Sequence, residues 1–355
     1  MLGGLCSFYF NRGELQTALE LAAQLLRLAQ SVQDPGLLLW AHYAMAISLG
    51  SQGELTAARA HLERGIALYD PQKRSARGFV QDPGVSCLTD VAPVLWLLGY
   101  PDQALRRSHE ALRLARKVSH PFSLARTLNS AAYLCWSRGE QQAARELTEA
   151  TTTLSSEQGF PVWMASGIFL KGVMLVEQGQ GEAGIAQMCQ GLAAYRVLGA
   201  VGRTSNLARL AAAYAKVGQV EEGLATVAEA LAFVDKTEER VYEAELHRLR
   251  GELTLQRFQV PGSEFHVTDS RSPMSDVQGE AEACFLKAIE IAQRQSAKSL
   301  ELRAVMSLSR LWQQQGKNEE AHRMLSEIYA WFTEGFDTKD LQEAKTLLEE
   351  LEGKA

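Results

Sequence analysis

A glycine returns along this chain at nearly fixed intervals. Gly13, Gly53, Gly99, Gly139, Gly179 and Gly218 stand 40, 46, 40, 40 and 39 residues apart, and Gly316 follows after 98. The stretch Arg138-Gly139-Glu140-Gln141-Gln142-Ala143-Ala144 shows what each glycine does. A helical run over residues 123–137 stops at Gly139, and a second over 143–154 follows at once. Glycine supplies the left-handed backbone that ends a helix, and Glu140 falls in the next first turn, where the helix dipole favours an acid. Five residues past each glycine the side chain is small: Ala18, Ala58, Ala104, Ala144, Gly184, Gly223 and Ala321. A small residue there lets two helices cross closely. A helical hairpin repeated at this period predicts a solenoid.

The period overrides what length alone suggests. A chain of 355 residues would ordinarily be two or three globular domains, but a solenoid grows by stacking and needs no central core. Its stability then rests on nearest-neighbour contacts, so the array should change curvature at little cost. The net charge of −6 argues against a general nucleic-acid binder. Cys6, Cys87, Cys135, Cys189 and Cys284 are odd in number and widely spread, which predicts buried free thiols in a reducing cytoplasm. The longest apolar stretch, residues 91–100, is broken by Pro93 and falls short of the roughly 20 residues a membrane helix needs.

Taken in order, the chain enters helix directly over residues 2–10, with no polar cap over its apolar face. That start predicts a cut through a longer array, or a shortened reading frame. Asp34-Pro35, Asp82-Pro83, His120-Pro121 and Phe160-Pro161 then place a proline at the first helical position, a start signal with Asp as the natural N-cap. Two places break the spacing. Residues 69–84 form a longer connection carrying Lys73, Arg74 and Arg77, a candidate docking loop for a partner. Residues 259–279, rich in Ser, Asp, Pro and Gly, read as a flexible insertion inside a seventh repeat flanked by helices over 239–258 and 280–294. A final amphipathic helix over 338–350 turns Leu341, Ala344, Leu347 and Leu348 to one side, as a capping helix should.

A long first helix, a glycine turn and a small residue five further on together resemble the tetratricopeptide repeat, and Ala281–Phe285–Ala288 follows its second-helix pattern. The period of about 40 departs from that repeat's 34. Long arrays of this kind resemble the C-terminal regions of large bacterial signalling proteins, where they follow a STAND-type ATPase and a class III adenylate or guanylate cyclase or a DNA-binding activator domain. The stretches AARAHLERGIALYD (57–70) and FTEGFDTKDLQEAKTLLEEL (332–351) look especially like the cyclase-linked arrays. The resemblance implies an all-α, right-handed α-solenoid of about eight helical hairpins over residues 1–351, capped by 338–351. It also implies a sensor or regulatory role beside an ATPase or cyclase domain, neither of which lies in this sequence.

In such superhelices the first helices make the concave surface, through the residues 13, 10, 6 and 3 before each glycine. Here that rule selects Trp40 and Tyr43, then Trp96, then Arg126, Asn129, Tyr133 and Trp136, then Phe169, and further on Arg248, Arg303 and Arg310. Aromatic and Arg side chains with an amide are what a groove for a peptide, protein or small effector uses: flat area at low entropy cost, with a few directed polar groups. The alternative is an oligomerising scaffold in which this groove and the open first repeat form a self-interface.

Chemistry-bearing motifs find no support. Gly179-Gln180-Gly181-Glu182-Ala183-Gly184 spells a dinucleotide fingerprint, but it follows a helix where that site needs a strand. There is no phosphate-loop motif, the seven histidines show no metal-ligand spacing, and acidic pairs such as Glu221-Glu222 fall at solvated helix ends. The sequence therefore predicts a non-catalytic module with no cofactor and no metal.

Overall fold

Proline, twice behind an aspartate cap, starts several of the first helices, and a left-handed glycine follows most of them. Asp34 Oδ1 accepts from the backbone N–H of Leu37 at 2.9 Å, and Asp82 Oδ1 from that of Val85 at 3.0 Å, each with a proline next in the chain. Both caps satisfy a donor that the first helical turn leaves unpaired. His120 does the same through Nδ1, accepting from Ser123 N at 3.3 Å. Every glycine of the ruler has positive φ, from 74° at Gly13 to 90° at Gly139.

The computed structural model describes residues 2–70, 81–198, 203–259 and 273–353, and its described residues form 17 helices. They pair as antiparallel hairpins: α1–α2 (Leu2–Asn11, Leu15–Val32), α3–α4 (Pro35–Ser51, Leu55–Leu68) and α5–α6 (Pro83–Leu97, Pro101–Val118). Next come α7–α8 (Pro121–Arg138, Gln141–Gln158), α9–α10 (Pro161–Glu177, Gly181–Leu198) and α11–α12 (Arg203–Val217, Val220–Thr237). The last pairs are α13–α14 (Glu243–Gln259, Pro273–Arg294) and α15–α16 (Lys298–Gln314, Asn318–Tyr329), closed by α17 (Lys339–Glu352). The chain is an all-α, tetratricopeptide-like solenoid. Helix α14 begins at Pro273 rather than at Glu280, so the last third of the expected insertion is helical. Lys73, Arg74 and Arg77 lie outside the described residues.

Small residues set the helix crossings. Ala18, Ala58, Ala104, Ala144 and Ala321 are completely buried, as are Ala281, Phe285 and Ala288 of the seventh hairpin. The fifth hairpin goes further. A Cβ on Gly184 would sit 2.6 Å from the Gly172 carbonyl oxygen and 2.8 Å from Val176 N, so α9 and α10 touch backbone to backbone. The apparent dinucleotide fingerprint is thus one turn glycine and one crossing glycine.

The array winds far enough to meet itself, which overturns the expectation of nearest-neighbour contacts alone. Ser51 O accepts from Val241 N at 3.1 Å, and Trp96 O accepts from Ser299 Oγ at 2.5 Å. At Gly99 a Cβ would come within 2.6 Å of the Trp331 ring and 2.8 Å of Lys298 Cβ. Glycine there serves the turn and the close approach of the start of α15 and of the segment that follows α16. Arg138, almost fully buried, donates to Pro101 O (3.1 Å), Asp102 (3.3 Å), Glu140 (2.6 Å) and Asp337 (3.1 Å). One guanidinium therefore ties the third and fourth turns to the segment before α17. Leu97 shares an apolar cluster with Ile291, Ala297 and Leu300, so the seam is apolar as well as polar.

Candidate functional site

Winding of the first helices brings one side of α5, α7, α9 and α11 around a common space. A cavity of about 310 Å³ lies there, lined also by Tyr195 of α10 and by Tyr242 just ahead of α13. Of the residues selected by the concave rule, Trp96, Arg126, Asn129 and Tyr133 line it. Trp136 stands behind the wall, its ring 5.7 Å from the Arg209 guanidinium.

The others fall elsewhere. Trp40 and Tyr43 are buried with ring centroids 5.4 Å apart, and the Tyr43 hydroxyl accepts from Gln81 at 3.0 Å. Phe169 has no exposed surface and belongs to the core between hairpins, not to the groove. A bulky residue on a helix held this close to its partner turns into the crossing. Arg248 binds Glu245 at 2.7 Å and Glu252 at 2.5 Å, Arg303 binds Asp340 at 2.7 Å, and the exposed Arg310 approaches Glu343 at 3.4 Å. Those three arginines form a charged strip beside the cavity, already matched by acids.

Two arginines stand on the cavity wall, and they are held differently. Arg126 donates through Nη2 to both oxygens of Asp90, at 2.7 and 2.6 Å. Burial alone would lower its pKa, but the attraction of Asp90 and Tyr43 outweighs that and raises it. Arg209 sits among rings, with its guanidinium 4.7 Å from the Tyr133 centroid and 5.3 Å from that of Tyr242, to whose hydroxyl it donates at 3.1 Å. Cation–π contacts of this sort contribute roughly 0.5–2 kcal/mol each. Among the described residues Arg209 makes no ion pair with a carboxylate.

Burial raises the pKa of Tyr133 and of Tyr195, against a smaller lowering influence of Ser166 on each, so both stay protonated. Three donors on cavity-lining residues are buried without a protein acceptor: Arg126 Nη1, Arg209 Nε and Trp163 Nε1. Among the described residues no group of His, Cys, Asp and Glu is placed to hold a metal ion. No helix among them is long and apolar enough to cross a membrane. Four cysteines are buried and Cys189 is exposed.

The concave rule missed Asp90, Ser130 and Arg209, which share one register nine residues before Gly99, Gly139 and Gly218. A face at 13, 10 and 6 also includes 9, since residues three and four apart share a helix side. Trp163, Tyr195 and Tyr242 carry no such signal, because they come from a helix start, a second helix and a connection. His42 and His61 were also unpaired by spacing, yet their Nδ1 atoms lie 2.9 Å apart.

No protein-family model matches the sequence. A comparison with curated proteins finds no match. Several solved structures align with the chain at low identity. The apo form of RapI is 12% identical, with a TM-score of 0.48 over 89% of this chain and 98% of its own. Aspartyl phosphate phosphatase F from Bacillus subtilis is 11% identical, with a TM-score of 0.49 over 94% of this chain and 75% of its own. A signal transduction ATPase with numerous domains, bearing a tetratricopeptide repeat sensor, from Pyrococcus horikoshii is 13% identical, with a TM-score of 0.46. It aligns over 99% of this chain, which spans about half (49%) of its length. These likenesses are of fold.

Proposed function

We propose that this chain is a binding module whose concave face takes a peptide, protein segment or small effector at the Arg126–Arg209 cavity. The observation that carries the reading is that four hairpins and the connection before α13 converge there, with Trp96, Tyr133, Trp163 and Tyr242 as flat walls and two guanidinium groups between them. Rigid aromatic and Arg side chains around a concavity are the usual makings of a recognition site. A ligand held across α5, α7 and α11 would bridge hairpins that also carry the seam to α15 and α17. Occupancy would then reach the closure of the superhelix, which suits a sensor placed beside an ATPase or cyclase domain.

The test is selection from a random peptide display library on the intact chain, followed by titration of enriched peptides. The reading expects binding that falls at least about tenfold in Tyr133→Ala and in Arg126→Ala, with the helical signal of each variant retained at the assay temperature. Enriched peptides indifferent to both substitutions would contradict it.

A second reading is self-association through the first hairpin. Leu5, Phe8, Leu28 and Val32, all in α1–α2, are among the most exposed large apolar side chains. It expects a mass that rises with concentration and returns to the monomer value in a Leu5→Ser, Phe8→Ser double variant.

A further inference from the structure

The unpaired polar atoms on the cavity-lining residues are of one kind. All three, Arg126 Nη1, Arg209 Nε and Trp163 Nε1, are donors. The buried acceptors without partners on Gln187, Gln256, Gln295 and Gln315 belong to none of the cavity walls. An unpaired buried donor costs on the order of 1–3 kcal/mol, so three together call for an acceptor that the protein does not supply.

Charge points the same way. Among the described residues the walls carry two guanidinium groups and one carboxylate, Asp90, whose two oxygens both bind Arg126. One positive charge is left over, and Arg209 holds it. Outside the walls, Glu245 attracts Arg209 while it is also bound by Arg248 and faced by Arg303, so the acid nearest Arg209 is shared among three arginines. Pro93, Trp96, Leu134 and Trp163 give the rest of the wall a flat apolar part, beside the amides of Asn129 and Asn206 and the hydroxyls of Ser130, Ser137, Ser166 and Ser205. At about 310 Å³ the space is at the small end of ligand pockets, which run from roughly 300 to 1,000 Å³.

We propose that the cavity binds an organic oxyanion with a planar apolar body: a carboxylate or phosphate monoester whose oxygens accept from Arg209, Arg126 and Trp163 while its body lies among the aromatic rings. A cation would meet two guanidinium groups, and a neutral amide would bring donors of its own to a wall already rich in them. This inference rests on reading the concave face as the binding surface. The same chemistry could be offered by a free small molecule or by the carboxyl end of a peptide.

Calorimetric titration of the intact chain separates these. The probes are indole-3-acetate, phenyl phosphate and the neutral indole-3-acetamide, with the tripeptide Ala-Ala-Trp as free acid and as C-terminal amide. The expected result is that an acid binds at least about tenfold more tightly than its amide, and that added salt weakens the acid alone. In Arg209→Gln the preference should shrink to within about threefold, while Arg209→Lys should keep part of it. Preference confined to the indole pair assigns a free small anion, and preference confined to the tripeptide pair assigns a chain end. If the Arg variants do not fold, the acid-to-amide ratio in the wild type decides alone. Amides that bind as tightly as acids end the anion inference and leave the binding-surface reading standing. If no acid binds at about 10 mM, the anion inference fails, while the surface reading is judged separately by the peptide selection.

Discussion

Glu334 Oε1 accepts hydrogen bonds from the backbone N–H groups of Asp102 and Gln103, at 3.0 and 2.9 Å, from 232 residues further along the chain than Asp102. Helix α6 thus has its N-terminal donors satisfied by the far end of the array, where a carboxylate also meets the positive end of the helix dipole. The contact lies in the seam that closes the superhelix, beside Arg138 and Gly99. Removing it with Glu334→Ala should cost about 1 kcal/mol, the usual worth of an N-terminal cap. A fall in the urea midpoint without loss of helical signal is the expected readout.

Two turn glycines separate local strain from closure. Gly99 and Gly179 have nearly the same φ, 89° and 83°, but only at Gly99 does the space for a Cβ meet another hairpin, while nothing stands within 4 Å at Gly179. Gly179→Ala should cost the left-handed strain alone, about 1–2 kcal/mol. Gly99→Ala should cost that plus roughly 1–3 kcal/mol of forced separation from Trp331 and Lys298. Equal losses in chemical denaturation would mean that the seam contributes nothing.

Most of the fold was legible because its ruler is backbone geometry: a left-handed residue leaves a glycine in the sequence, and a close crossing leaves an alanine. The seam was not legible, since Glu334, Trp331 and Ser299 look like ordinary residues of a final repeat until winding brings them against Asp102, Gly99 and Trp96. The site was half legible. Arg126, Asn129 and Tyr133 follow from helix periodicity, whereas Tyr195 and Tyr242 reach the cavity from elements that no single-helix face includes. Arg209 could have been found by admitting the register nine before the glycine.

His42 should make the chain more sensitive to mild acid. Burial, with His61 and Arg64 nearby, pulls its pKa down from the ordinary 6.5 to about 4. A histidine depressed in the folded state is protonated first in the unfolded one, so stability falls as pH drops from 6.5 toward 4 and levels off below. Urea midpoints between pH 7 and 4 should show this slope in the wild type. His42→Gln should flatten it, leaving the smaller share of His61, whose pKa is lowered for the same first reason.

Glu245 acts in a more acid window. Burial alone would raise its pKa, but Arg248, which also bonds to it, and Arg303 pull it down to about 2 from the ordinary 4.5. Its stabilisation is therefore complete above pH 4.5 and is lost as pH falls through 2. Glu245→Gln leaves Arg248 and Arg303 with less compensation, and breaking such a buried pair typically costs about 3–5 kcal/mol. Denaturation at pH 7 should register that loss, and the difference from wild type should narrow at pH 2.

The central claim is that the space between α5, α7 and α11 is where this chain meets its ligand. Amide hydrogen exchange, measured with and without a peptide enriched on the intact chain, tests it most directly. The account predicts added protection concentrated on residues 126–137 and 203–210, with little change on the outer helices α8 and α12. Protection confined to α1 and α2, or spread over the outer helices with α7 and α11 unchanged, would contradict it.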